Sequence, residues 1–133
     1  MALRHTVVSL VAGREESLPA ELLSRHPDLL GVRVRRGGIL PRLGGWCLGA
    51  ASVAGITFGR TIWLGAATRL SEELLLHELQ HVHQFQAVRT FPLRYAWETL
   101  RRGYHHNCYE VEARQFARAR MGNGPDPTLS EGV

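Results

Sequence analysis

The stretch "LLLHELQHVHQF", Leu74 to Phe85, sets three histidines and one glutamate in a leucine-rich run. On an α-helix each residue advances by about 100°, so His77 and His81 stand one turn apart on one face, where two imidazoles can meet one ion. Zinc in a catalytic site takes three protein ligands and leaves a fourth position to water, and neutral imidazole is among its preferred ligands. Glu78 lies roughly 100° round from His77, beside such an ion without being bound to it, where a general base stands to take a proton from that water. His77, Glu78, Leu79, Gln80 and His81 meet the helical pattern HExxH in full. Leu75, Leu79, Val82 and Phe85 form an apolar stripe, while His77, His81 and Gln84 share another line. Gln84 is therefore a candidate for supporting the ligands by hydrogen bonds. His83 points about 200° from His81 and reads as an exposed residue.

A third ligand must come from elsewhere in the chain, and the candidates are His105, His106, Glu110 and Glu112. If "NCYEVEARQFARARM" is helical, Glu110, Ala113, Arg114, Ala117 and Met121 fall on one side and Glu112 on roughly the opposite one. Alanines at 113 and 117 leave room for another helix to approach closely, which favours Glu110. Two alternatives stand beside it. Asn107 followed three residues later by Glu110 is also a capping-box spacing, which would tie the glutamate to its own helix start. The third ligand could instead be a histidine of the pair 105 and 106. Tyr95, Tyr104, His105 and His106 are candidate donors to a developing oxyanion.

The elements that must hold these residues are legible in outline. "SEELLLHELQHVHQFQAV" opens on a capping residue and two acids and runs without Gly or Pro, which predicts a helix from Ser71. "FPLRYAWETLRRG" predicts a second helix closing at Gly103, and a third runs from Asn107 to a terminator at Gly122. Upstream, "SLPAELLSRHPDLL" reads as a short helix with Ser17 as its cap, and "GVRVRR" as a half-buried strand followed by a turn at Gly37 and Gly38. From Ile39 to Ala67 the glycine-rich, β-branched composition predicts two or three strands, the last through Thr61, Ile62, Trp63 and Leu64. "MALRHTVVSLVAG" reads as an N-terminal strand rather than a secretory leader, because its apolar stretch is brief and Glu15 and Glu16 follow at once. The architecture expected is α+β: a small N-terminal sheet, the HExxH helix and a downstream glutamate helix. It forms one domain over residues 1–121, with a flexible tail over 122–133.

Here the chain resembles a known group. His77, Glu78 and His81, with a later helix bearing Glu110 and Ala113, look like the gluzincin type of zinc metallopeptidase. The small size and order of elements are most similar to minimal gluzincins and zincin-like domains with "HELxHxxQ" and "NPYExEA" motifs. The resemblance covers roughly residues 54 to 120. It implies a zincin-like fold, His77, His81 and Glu110 as zinc ligands, Glu78 as general base, and a peptide or protein as substrate. The chain departs at Cys108, where the motif commonly has proline, and at Arg114, where many gluzincins have an aspartate that orients the first histidine. The second departure leaves a zinc-holding accessory module without strong turnover as the alternative.

Composition bounds the rest. Apolar residues make up 44% and charged residues 21%, so the chain is ordinary globular protein and not a disordered one. The net charge of +4 comes from 16 basic residues, all arginine. They are scattered, with local clusters only at Arg33, Arg35, Arg36 and at Arg101, Arg102, so solvated faces are expected rather than a nucleic-acid footprint. The first cluster would alternatively favour acidic substrates. Cys47 and Cys108 lie in no metal-ligand spacing and read as buried thiols in a cytoplasmic protein. No apolar run approaches the ~20 residues that cross a bilayer, so no membrane partner is expected. "TIWL" would accept an extended peptide if it lies at a sheet edge. With no second domain expected to wall a cleft, the expectation is a shallow site, low activity on loose peptides, or a need for a covering segment or a regulatory partner.

Overall fold

The structure is a computed structural model that describes residues 10–47 and 54–122, with backbone alone at 44–47. It is mixed α/β and divides into two compact units, residues 1–70 and 71–133.

In the first unit, strands β1 (Arg14–Glu15), β2 (Arg33–Arg36), β3 (Gly55–Phe58) and β4 (Thr61–Leu64) form one sheet in the order β1-β2-β4-β3. β4 alternates as a half-buried strand should, with Ile62 and Leu64 fully buried and Thr61 and Trp63 partly exposed. A tight hairpin joins β3 to β4, and Gly59 at φ 61° supplies the positive dihedral at its first central position. β2 and β4 run parallel, with Val34 opposite Ile62 and Arg35 opposite Trp63. Parallel neighbours need a long crossover, and its helix α2 (Ile39–Cys47) follows the earlier short helix α1 (Ala20–Arg25).

Four expectations change here. Residues 39–47 are helical, not extended. Pro41 sits in the first turn, where a missing N–H costs nothing, and the demand for a crossover outweighs the glycine-rich composition. The helix α1 is preceded by Pro19 with no side-chain cap, so Ser17 does not serve. Residues 10–12 are helical, so the N-terminal strand is not found there, and its earlier residues lie outside those described. "TIWL" is β4, paired on both sides, and an interior strand has no free backbone groups to offer a peptide. The tail from 123 also lies outside the described residues.

Arg35 and Arg36 are half-buried and committed to their own chain. Arg35 donates to the carbonyls of Ala12 (2.6 Å) and Gly13 (2.9 Å), and the Trp63 indole N–H joins it on Ala12 at 3.0 Å. Arg36 pairs with Glu16 at 2.8 Å and donates to the carbonyls of Gly65 and Thr68. Their role is to fasten segments against the sheet, and neither is a free cation for an acidic ligand. The same closure presses Gly13 so near the chain that an added Cβ would lie 2.6 Å from the Arg36 carbonyl oxygen.

In the second unit, α3 (Glu72–Ala87), α4 (Phe91–Arg102) and α5 (Cys108–Arg120) pack together, α3 against both others. Ser71 caps α3 by accepting from the Leu74 N–H at 3.1 Å, with Glu72 and Glu73 in the first turn. Gly103 at φ 78° closes α4. Asn107 starts α5: its Oδ1 accepts from the Tyr109 N–H at 2.9 Å, and its Nδ2 donates to the Tyr95 carbonyl (3.1 Å) and Thr99 Oγ1 (2.8 Å). Ala113 and Ala117 are fully buried, as close helix approach requires. Cys108 is half-buried rather than buried, and Cys47 lacks a described side chain.

Replacing Gly13 by alanine forces both a disfavoured dihedral and a backbone clash, whereas at Gly59 a Cβ meets open space. Urea denaturation is expected to show Gly13→Ala costing about 2–3 kcal/mol and Gly59→Ala about 1 kcal/mol.

Candidate metal centre

Two histidines one turn apart on a leucine-rich helix, His81 buried and His77 half-buried, need a polar partner, and here that partner sits on α5. The Nε2 atom of His77 lies 2.9 Å from Glu110 Oε2, and that of His81 lies 3.2 Å from Glu110 Oε1. One ligand atom from each of the three residues falls within 4.8 Å of the others, and it is the group of this kind found among the described residues. Tetrahedral zinc with bonds of 2.0–2.2 Å spaces its ligands by roughly 3.4 Å. The two separations to Glu110 lie close to that spacing, so the trio could hold a metal ion.

Glu110 is not the partner of its own helix start. Asn107 caps α5 alone, and the glutamate carboxylate instead receives both imidazoles and the Tyr95 hydroxyl, which donates to Oε1 at 2.5 Å. A carboxylate only 3% exposed must have such partners, because an uncompensated buried charge costs several kcal/mol. Burial alone would raise its pKa, but the hydrogen bonds from His77 and His81, with their charge, hold it well below its ordinary value. His81 moves the other way. Burial opposes its charge, yet the hydrogen bond to Glu110 and the charges of Glu78 and Glu110 push it up to about 9.

His81 is oriented from behind by Gln84. The Gln84 Nε2 donates to the Tyr109 carbonyl (3.1 Å) and to the Glu112 carboxylate (3.0 Å), both pure acceptors. Its Oε1 must then be the atom 2.7 Å from His81 Nδ1, so Nδ1 carries a proton and Nε2 is the nitrogen presented to the trio. A chain Glu112–Gln84–His81 thereby fixes one imidazole. The equivalent is missing at His77, whose Nδ1 has no side-chain partner among the described residues. Arg114, at the position where the resemblance implies an aspartate, reaches the His105 carbonyl at 2.5 Å.

Glu78 is buried on the same turn as the imidazoles, and its charge is among the causes that raise His81, Tyr95 and Tyr104. Tyr104 is half-buried, and burial with the nearby Glu110 and Glu78 charges lifts its hydroxyl above the ordinary range, so it stays a donor at neutral pH. His105 and His106 are exposed and outside the trio. His83 is half-buried rather than exposed, edge-on to Phe116 with ring centroids 5.6 Å apart, and also outside it. Two supports escape a reading of helical faces: Tyr95, a candidate oxyanion donor that in fact holds Glu110, and Glu112, on the far side of α5 yet within reach of Gln84. A glutamine one turn beyond His81 was the available signal for the second.

No known protein family, curated protein or solved structure matches the chain.

Two outcomes follow from these protonation states. His81 rises from 6.5 to about 9, so its stabilisation is complete below pH 6.5 and is lost as pH climbs through 9. Glu110 falls from 4.5, so its stabilisation is present above pH 4.5 and is lost as pH drops through its lowered value. Thermal melts of metal-free protein should therefore peak between pH 4.5 and 6.5 and decline toward pH 9. Metal uptake must expel the His81 proton, so affinity in a chelator competition should rise roughly tenfold per pH unit up to about 9. Gln84→Leu should weaken metal binding by about 10- to 100-fold while leaving the helices intact by circular dichroism.

Proposed function

We propose that this chain is a zinc-dependent metallopeptidase that hydrolyses peptide bonds. The carrying observation is the convergence of His77, His81 and Glu110 on one point, with Glu78 buried on the same helical turn. Two nitrogens and one carboxylate make zinc the default ion. Bound zinc would supply Lewis acidity and lower the pKa of a water to ~7. Glu78 then accepts the proton of the attacking water and passes it to the leaving amine nitrogen. Tyr104, protonated across the physiological range, donates to the oxygen that gains charge as the carbonyl becomes tetrahedral. Tyr95 holds the Glu110 carboxylate in place, and Gln84 keeps the His81 proton on Nδ1. The reading includes a zincin-like fold and a cytoplasmic setting, the latter supported by Cys108 as a free thiol.

A second reading is a zinc-holding module of the same fold with little or no turnover. Arg114 and the unassisted Nδ1 of His77 favour it, because loss of an orienting acid lowers ligand basicity.

One experiment separates these. Zinc content and cleavage of an unfolded protein substrate are measured for wild type and Glu78→Gln. The peptidase reading expects about one zinc in each, with cleavage reduced by about 10²–10⁴-fold in the variant. Zinc in both with cleavage in neither supports the module, and absence of zinc from both refutes the metal centre.

A further inference from the structure

Helix α4 turns one side toward its neighbours and another outward. Phe91 is buried and Tyr95, Glu98 and Thr99 are half-buried, while Leu93, Trp97 and Leu100 are 74%, 60% and 86% exposed. Their spacing places all three within about 60° of arc, with exposed Ala96 beside them. Single exposed leucines are ordinary, but a file of three large apolar side chains on a helix of 12 residues marks a contact surface. Exposed Arg94 and Arg101 run along one flank of that file, about 80–100° from Leu93. The helix's acidic residue, Glu98, is turned inward and paired with Arg102 at 3.4 Å.

We propose that this face of α4 docks on an anionic lipid bilayer, lying in the plane of the surface. The leucines stand out as a convex ridge, which a fluid acyl boundary receives without a preformed groove, and an indole flanked by arginines suits the headgroup level. The chain's net charge of +4 has the sign that anionic lipid attracts. No described helix is long and apolar enough to cross a membrane, so the mode is peripheral. A second copy fits less well. Three such side chains offer on the order of 400 Å², about half the roughly 800 Å² per partner of a standard interface. Twofold pairing would also bring four arginines to one seam.

The test is sedimentation of the full chain with vesicles of phosphatidylcholine carrying about one-third phosphatidylserine, against phosphatidylcholine alone. Binding is expected only with the anionic vesicles, and it should weaken as salt is raised. Leu93→Ser with Leu100→Ser should lower partition by about 100-fold, and Arg94→Gln with Arg101→Gln by about 20-fold. Unchanged melting and zinc uptake in these variants confirm that the fold and the metal centre are intact, so this inference and the metallopeptidase reading can fail separately. Brominated lipid should quench wild-type fluorescence more than that of Trp97→Phe. Equal binding to both vesicles, binding unaffected by the serine pair, or preference for a polyglutamate peptide over vesicles would each overturn the proposal.

Discussion

One buried negative charge organises the helical unit. Glu110 is withdrawn from water between α3 and α5, and a carboxylate in that position must be met by donors or it destabilises the fold that holds it. His77, His81 and Tyr95 meet it from two helices. The rest of the unit arranges for that meeting. The i, i+4 spacing brings the imidazoles to one face, Ala113 and Ala117 let the helices close, and Asn107 ties the start of α5 to the backbone of α4.

The same geometry would let a metal ion compete with protons for the site. A protonated His81 pairs with the Glu110 carboxylate. A metal ion held there would take the place of the proton on Nε2, while Gln84 reads only the opposite nitrogen. The supports are uneven. The His81 imidazole is backed by a carboxamide that is itself anchored twice, and that of His77 rests on its contact with Glu110 and the edge of its neighbour's ring, 5.0 Å away between centroids. Uneven support of this kind would tune a metal's affinity without changing which atoms are presented.

What could be read in the sequence divides along the range of the forces involved. Helix α3 was legible because cap, acidic first turn and unbroken periodicity all lie within one segment, and α4 and α5 because glycine stops and an asparagine start are local signals. The trio was legible because two members share a helix face and the third lies on a face marked by alanines. Helix α2 was not, since Pro41 and its glycines look like turns until the parallel pairing of β2 with β4 demands a crossover. The position of β4 inside the sheet was hidden for the same reason: strand order is decided by partners far along the chain. Arg35 and Arg36 of β2 read as solvated charges, and only the backbone folded over them reveals their carbonyl partners.

The parallel β2–β4 pair also bears on how the chain reaches its native state. Its two strands can align only after the whole of residues 37–60 has been looped out, so the entropy of closure is lost before any ladder bond repays it. Until that loop closes, the strands of the first unit stand with unpaired edges, and that interval is where self-association competes with folding.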